Sequence, residues 1–277
     1  MRFYEPAPDL RGLISKYYVL DFDVPRLSDI IQTEATNIRF ALGGSYRMAL
    51  AGADIACSGA TMFGPRTQPL SMTATGPGRA LGVGVLPMGM QAIAGFSARE
   101  LTDKIIPLED VLGAAAVDAQ DRMLHAPDDQ TLIRIADAFF RAAWRQRPDR
   151  AALFQQAVAA WLKDCDDPQI DDLVSTCDLS ARQVERLTAR YFGMSPKLLA
   201  RQGRVLRAAA KLRLAPDLSW TDAAGAGFFD QSHFIRDFRA FVGMTPTEFR
   251  QNKAPATSAG LRARTRERLI SPLSLLS

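Results

Sequence analysis

At 277 residues, with 47% hydrophobic and 23% charged side chains, the chain is long enough for two domains that each bury a core. This composition excludes a wholly disordered, collagen-like or disulfide-scaffold protein. No window approaches the ~18 consecutive apolar residues of a membrane span. Residues 1–10 lack the basic-then-apolar order of a secretory signal, so a soluble, cytoplasmic protein with no membrane partner is expected. The formal net charge of +4 does not demand a polyanionic partner, because where charges lie matters more than their sum.

From about residue 16 to 86 the pattern is one of short β-type runs, such as Tyr17-Tyr18-Val19-Leu20, Ile38-Arg39-Phe40-Ala41-Leu42 and Leu81-Gly82-Val83-Gly84-Val85-Leu86. Gly43-Gly44, Gly52, Gly64-Pro65 and Gly76-Pro77-Gly78 are read as breaks between them, which suggests a small antiparallel barrel or sandwich. Within it, Arg39, Tyr46, Arg66 and Arg79 are candidates for meeting an anionic or polar small molecule, with ordinary hydrogen-bonding roles as the alternative. Cys57, Cys165 and Cys177 lack C-x-x-C spacing and are odd in number, which fits reduced structural thiols.

The two histidines, His125 and His233, fall in helix-patterned sequence and cannot supply a ligand cluster to the barrel, so no metal or other cofactor is expected. There is no G-x-S-x-G elbow or Walker loop, and Gly82-Val83-Gly84 lacks dinucleotide-binding spacing. An enzyme is therefore not expected.

After Pro87 the texture turns helical. A helix is expected from about 107 to 125, and another from about 128 to 146 with Leu132, Ile135, Ala136, Phe139, Phe140 and Ala143 on one face. Pro127-Asp128-Asp129 and Arg147-Pro148-Asp149 read as restarts, with acids at the helix N-termini favoured by the dipole. These connecting helices are expected to pack on the barrel or to pair two chains.

The most informative feature is an internal repeat. Gly193-Met194-Ser195-Pro196 recurs as Gly243-Met244-Thr245-Pro246, an offset of 50 residues, and at the same offset Ser180 matches Asp230, Val184 matches Phe234 and Arg186 matches Arg236. Ser180 and Asp230 are N-cap types that open helices running to about 192 and 242. Shorter helices at about 170–177 and 220–227 precede them across tight turns, and a short helix, a turn and a longer capped helix make a helix-turn-helix. In each Gly-Met-Ser/Thr-Pro element, Gly suits a left-handed C′ position, Ser or Thr caps the next helix, and Pro sits harmlessly at its first turn. Thr245-Pro246-Thr247-Glu248 further makes a capping box.

Between the copies, 196–214 reads as one helix of roughly 28 Å, suited to holding two recognition helices near the ~34 Å spacing of successive major grooves. Nine basic residues against two acids between 178 and 213 add a basic patch. On the first long helix Arg182, Gln183, Glu185 and Arg186 are expected to face outward, and on the second Gln231, Ser232, His233 and Arg236. Arg and Gln suit guanine and adenine edges, and Glu185 suits cytosine. Arg186 and Arg236 are the first candidates for base contact, with a solvated helix face as the bland alternative.

These residues, together with Gly227-Phe228-Phe229-Asp230-Gln231-Ser232-His233-Phe234 and the closing Thr245-Pro246-Thr247-Glu248-Phe249-Arg250, resemble the AraC/XylS transcription-regulator DNA-binding domain over about a hundred residues. The resemblance implies a seven-helix fold with two units in adjacent major grooves of double-stranded DNA, RNA polymerase as a partner, and activation more often than repression. It also suggests an N-terminal domain that senses a small-molecule effector, forms a homodimer, or both. One departure is the light stretch Ala223-Ala224-Gly225-Ala226-Gly227. Gly inside a helix costs about 1 kcal/mol relative to Ala, so the second unit is expected to be softer.

The expected fold class is α+β. Residues 1–148 form a sensing and dimerisation domain, a small antiparallel β-barrel or sandwich to about 86 with a helical connector at 87–148. Residues 153–252 form an all-α DNA-binding domain with helix-turn-helix units at about 170–192 and 220–242, and 253–277 a mobile basic tail. The expected function is sequence-specific, effector-responsive transcription regulation. The alternative is a protein-interaction module that keeps the helix-turn-helix fold without binding DNA.

Overall fold

Two long strands organise the N-terminal half of this computed structural model, which describes residues 1–144, 149–163, 167–215 and 217–252. The expected tail at 253–277, Cys165 and the break at Arg147-Pro148 lie outside the described residues. The strands are β1 (Arg2–Tyr4), β2 (Ile14–Phe22), β3 (Arg26–Ile31), β4 (Asn37–Leu50), β5 (Ala53–Cys57), β6 (Ala60–Phe63), β7 (Leu70–Val85) and β8 (Ile105–Pro107). They form one antiparallel sheet in the order β1-β2-β7-β4-β6-β8, with β3 also on β7 and β5 also on β4.

Gly43-Gly44 and Gly76-Pro77-Gly78 do not separate strands, as the turn-residue reading expects. They lie inside β4 and β7, where the mutual register shifts between Ala41 and Ser45. The glycines make room for an aromatic ring: a Cβ at Gly76 or Gly78 would fall 2.5 or 2.4 Å from the Phe22 ring. Gly44, at φ +74°, would bring one to 2.9 Å from the Thr75 carbonyl oxygen. Gly52 does mark a turn, with Ala51 and Gly52 both at positive φ between β4 and β5.

The connector departs from expectation at its start. Residues 105–107 are β8, paired with β6, and the expected 107–125 helix is split at Gly113 (φ +63°) into α3 (Glu109–Leu112) and α4 (Ala114–Leu124). Before these come α1 (Pro87–Ala94) and α2 (Ala98–Leu101). The apolar face of α5 (Asp129–Ala143) covers the barrel: Phe139 and Phe140 meet Phe40 edge-on, and Phe140 also packs near Tyr17. That face is therefore buried within the chain. Polar ties reinforce it, because Asp137 accepts from the Tyr17 hydroxyl (2.9 Å) and the Ala7 amide (3.1 Å). Asp129 pairs with Arg2, Tyr4 and Arg79, and the Arg2 hydrogen bond leads in holding its carboxyl down at about 2.

The C-terminal half has seven helices among the described residues, as the resemblance implies. They are α6 (Asp149–Lys163), α7 (Ile170–Cys177), α8 (Ala181–Phe192), α9 (Pro196–Leu214), α10 (Trp220–Ala224), α11 (Gln231–Val242) and α12 (Pro246–Gln251). One core gathers Phe154, Val158, Leu173, Val184, Phe192 and Leu199 around the first unit. A second gathers Val205, Ala209, Phe234, Phe238, Phe241 and Phe249, so α9 contributes to both. Gly225 corrects the expectation of a helix running to 227. It adopts φ +62°, ψ −157°, which ends α10 before a short 3-10 turn at Gly225–Gly227.

Candidate nucleic-acid interface

The matching helices α8 and α11 begin and end alike. Ser180 and Asp230 cap their first turns by accepting from the Gln183 and His233 amides, and Gly193 and Gly243 close them at φ +78° and +87°. Val184 and Phe234 are fully buried at equivalent positions, which fixes the rotation of each helix and turns the opposite face to solvent. On that face Arg182, Gln183, Glu185 and Arg186 are exposed on α8, and Gln231, Ser232 and Arg236 on α11. Arg186 and Arg236 stand at matching positions 50 residues apart.

Two of the candidate side chains already hold their own helix ends. The Gln183 Oε1 accepts from the Ser180 amide and hydroxyl, both at 2.9 Å, completing a capping box. His233 is half-buried; its Nδ1 accepts from the Phe229 amide at 3.3 Å, and its Nε2 lies 3.4 Å from Asp237. Asp237 is 0% exposed and takes a two-pronged pairing from Arg201 on α9 at 2.8 and 3.2 Å. This bond between recognition helix and linker helix was not legible beforehand, since Asp237 has the look of an ordinary surface acid.

Much of the basic character of α9 is likewise turned inward. Besides Arg201, Arg204 pairs with Asp167 and stacks over Phe228, and Arg207 donates to the Leu162 carbonyl. Arg213 sits over the Phe249 ring and donates to the Asn252 carbonyl. Lys197 at the start of α9 stays exposed, as do Arg182 and Arg186 of α8 and Arg236 of α11.

The four ligand candidates scatter. Arg39 and Tyr46 line a cavity inside the barrel. Arg79 is on the outer side with Asp21 and Asp129. Arg66 is 0% exposed and donates to the carbonyls of Ile31 (3.1 Å) and Gln32 (2.5 Å) and to Glu34 (3.1 Å). Its own carbonyl accepts from Gln202 of α9 at 2.9 Å, so it stands between barrel and helices. Glu34, another wall residue of the cavity, carried no sequence signal: it lies in a polar run that happens to be buried.

Comparison with known proteins gives matches to both regions of the chain. A helix-turn-helix domain family matches residues 173–252, and a domain family of unknown function (DUF6597) matches residues 2–107. The HTH-type transcriptional regulator GbdR of Pseudomonas aeruginosa is 29% identical over 100 residues, 36% of this chain. That match spans only 27% of GbdR itself. Among solved structures, apo ToxT of Vibrio cholerae has a TM-score of 0.47 at 10% identity, covering 85% of this chain and 96% of that one. Unsaturated fatty acid-bound ToxT has a TM-score of 0.46 at 12% identity, covering 84% and 93%. No described helix is long and apolar enough to cross a membrane. Residues 173–252, with their paired, identically capped units, form a helix-turn-helix domain similar to that of AraC/XylS-type transcription regulators.

Proposed function

We propose that the chain is an effector-responsive regulator in which residues 153–252 read double-stranded DNA and residues 1–148 sense a small molecule and pair two chains. The observation that carries this reading is the duplicated, identically capped helix with Arg186 and Arg236 outward at equivalent positions. Arg182, Glu185, Gln231 and Ser232 share those faces and complete the set of base or phosphate contacts. Gln183 and His233 join them from the helix ends they already hold. The linker α9, 19 residues long, spaces the units by roughly 28 Å, suited to successive major grooves.

The barrel cavity supports the sensing role, because three of its wall residues, Ile31, Gln32 and Glu34, belong to the short segment whose Thr33 amide donates to the Phe241 carbonyl of the helical half. Output is activation by contact with RNA polymerase, the commoner behaviour in the family. In vitro transcription from a promoter carrying the bound site, with purified polymerase and the full chain, tests this. Transcript is expected to rise when the chain is added. A fall would make it a repressor, and no change with the site demonstrably bound would refute the polymerase contact.

A further inference from the structure

We propose that the loop joining β6 to β7, residues 64–69, is a template that holds the two recognition helices at one separation and so sets which spacing of DNA boxes the chain accepts. This rests on the reading that α8 and α11 enter DNA together.

The loop meets the repeat twice, at equivalent places. Gly193-Met194-Ser195-Pro196 and Gly243-Met244-Thr245-Pro246 are the matching elbows of the two units, and each seats its glycine on a proline of the loop. A Cβ on Gly193 would lie 3.1 Å from Pro65, and one on Gly243 would lie 3.1 Å from Pro69. Both elbows therefore need glycine for close approach as well as for positive φ. Between them in sequence, the buried Gln202 of α9 donates to the Arg66 carbonyl at 2.9 Å. Elbow, linker helix and elbow all rest on residues 65–69.

A helix leaves its last carbonyls without partners of its own, and the N-terminal half supplies donors to both recognition helices. The Ser97 and Thr102 hydroxyls donate to the Arg190 (3.4 Å) and Gly193 (2.8 Å) carbonyls at the end of α8. The Thr33 amide donates to the Phe241 carbonyl of α11 at 2.8 Å. These ties lie at the C-terminal ends, whereas Arg182, Arg186, Gln231, Ser232 and Arg236 remain exposed, so docking on the barrel and reading DNA are compatible.

The loop is built to be stiff. Its prolines restrict φ, and the Arg66 guanidinium grips the Ile31 and Gln32 carbonyls and Glu34, which Arg39 also holds at 2.7 Å. Thr67 is tied through its amide and hydroxyl to Asp103 at 2.8 and 2.5 Å, and the Asp103 amide returns to the Pro65 carbonyl at 2.9 Å. Since α9 already joins the units, the loop makes a second, parallel tie and closes the frame. One base pair of spacing moves a box by about 3.4 Å and turns it by about 35°, more than the hydrogen bonds of such a frame tolerate.

The test uses the full chain on duplexes carrying the two boxes that selection from random DNA yields, at the preferred spacing and with one base pair added or removed between them. The wild-type chain is expected to bind the altered spacings roughly tenfold or more weaker. Thr102→Val combined with Gln202→Leu, which removes two of the ties, is expected to narrow that gap to roughly threefold. Undiminished discrimination by the folded double variant assigns the spacing to α9 alone and overturns the proposal. Hydrogen exchange of the wild-type chain, free and DNA-bound, needs no variant. The Thr33 amide is expected to stay at least as protected on DNA, and faster exchange in the bound state would show the frame opening and overturn the proposal even if the double variant misfolds. No bound motif defeats the DNA reading and this inference with it, whereas a motif bound equally at all three spacings defeats this inference alone.

Discussion

The two helix-turn-helix units share a plan but are held together differently. The first has a full eight-residue α7, a turn in which Asp178 takes the left-handed conformation, and Leu179 tucked against the core. The second has a five-residue α10 broken by Gly225, and a turn that packs Phe228 on Phe234 but leaves the counterpart of Leu179, Phe229, 94% exposed. Where the first unit places Leu187, the second places the buried Asp237 and ties it to Arg201 and His233. The second unit, with its shorter helix, is pinned by a charged bond to α9. Their outward faces differ as well: Arg182, Glu185 and Arg186 against Gln231, Ser232 and Arg236. The first face is the more charged, and the second is weighted toward neutral hydrogen-bonding groups.

The sharpest way to break this comparison is Asp237→Ala. It strips both partners of their acceptor and is expected to cost about 2 to 3 kcal/mol in urea unfolding of the full chain, with hydrogen-exchange protection lost first in α10 and α11. Loss spread equally over α7 and α8 would show that the units are not separately held. Next in size, Arg186→Ala and Arg236→Ala are each expected to cost about 1 to 3 kcal/mol on the cognate site and to relax base preference at different positions, one per unit. Uniform weakening on unrelated duplexes would make both arginines phosphate anchors.

Gly225→Ala is smaller and has a telling sign. Were Gly225 a weak point within a helix, alanine would stabilise the second unit. At φ +62°, ψ −157°, alanine is strained and is expected to destabilise by about 1 to 2 kcal/mol, read as a lower Tm.

The smallest effect separates the two capping boxes by pH. The box opening α12 uses Glu248, whose carboxyl is held below its ordinary value by the Thr245 amide, whereas the box opening α8 uses Gln183, which does not titrate. With its folded value lowered, Glu248 contributes stability that is complete above the unfolded value of about 4.3. That contribution is lost as pH falls through the lower folded value. Amide exchange at the start of α12 should therefore quicken in that range relative to the start of α8. Parallel behaviour of the two ends would contradict it.

The repeat was legible because caps and helix-closing glycines are local devices: Ser180, Asp230, Gly193 and Gly243 act through their own backbone neighbours. The apolar face of α5 was legible for the same reason, as a helical period. What could not be read depends on pairing across the chain. Gly43-Gly44 and Gly76-Pro77-Gly78 carry every mark of turns until Phe22 is seen to occupy the space they leave. Gln183 looks like a base-reading side chain because its bond to Ser180 competes with that role only in three dimensions. Arg66 and Arg39 look alike in the sequence, yet the fold makes the first a buried clamp on the Ile31 and Gln32 carbonyls and the second a wall residue of the cavity. Glu34, which joins them, has nothing in its sequence neighbourhood to distinguish it.

Selection of bound sequences from random duplex DNA by the full chain, at two salt concentrations, tests the central claim most directly. The account predicts an enriched motif of two boxes about one helical turn apart, bound less tightly at the higher salt as phosphate contacts release counterions. Arg186→Ala should blur one box and Arg236→Ala the other. Absence of any enriched motif at either salt concentration would contradict it.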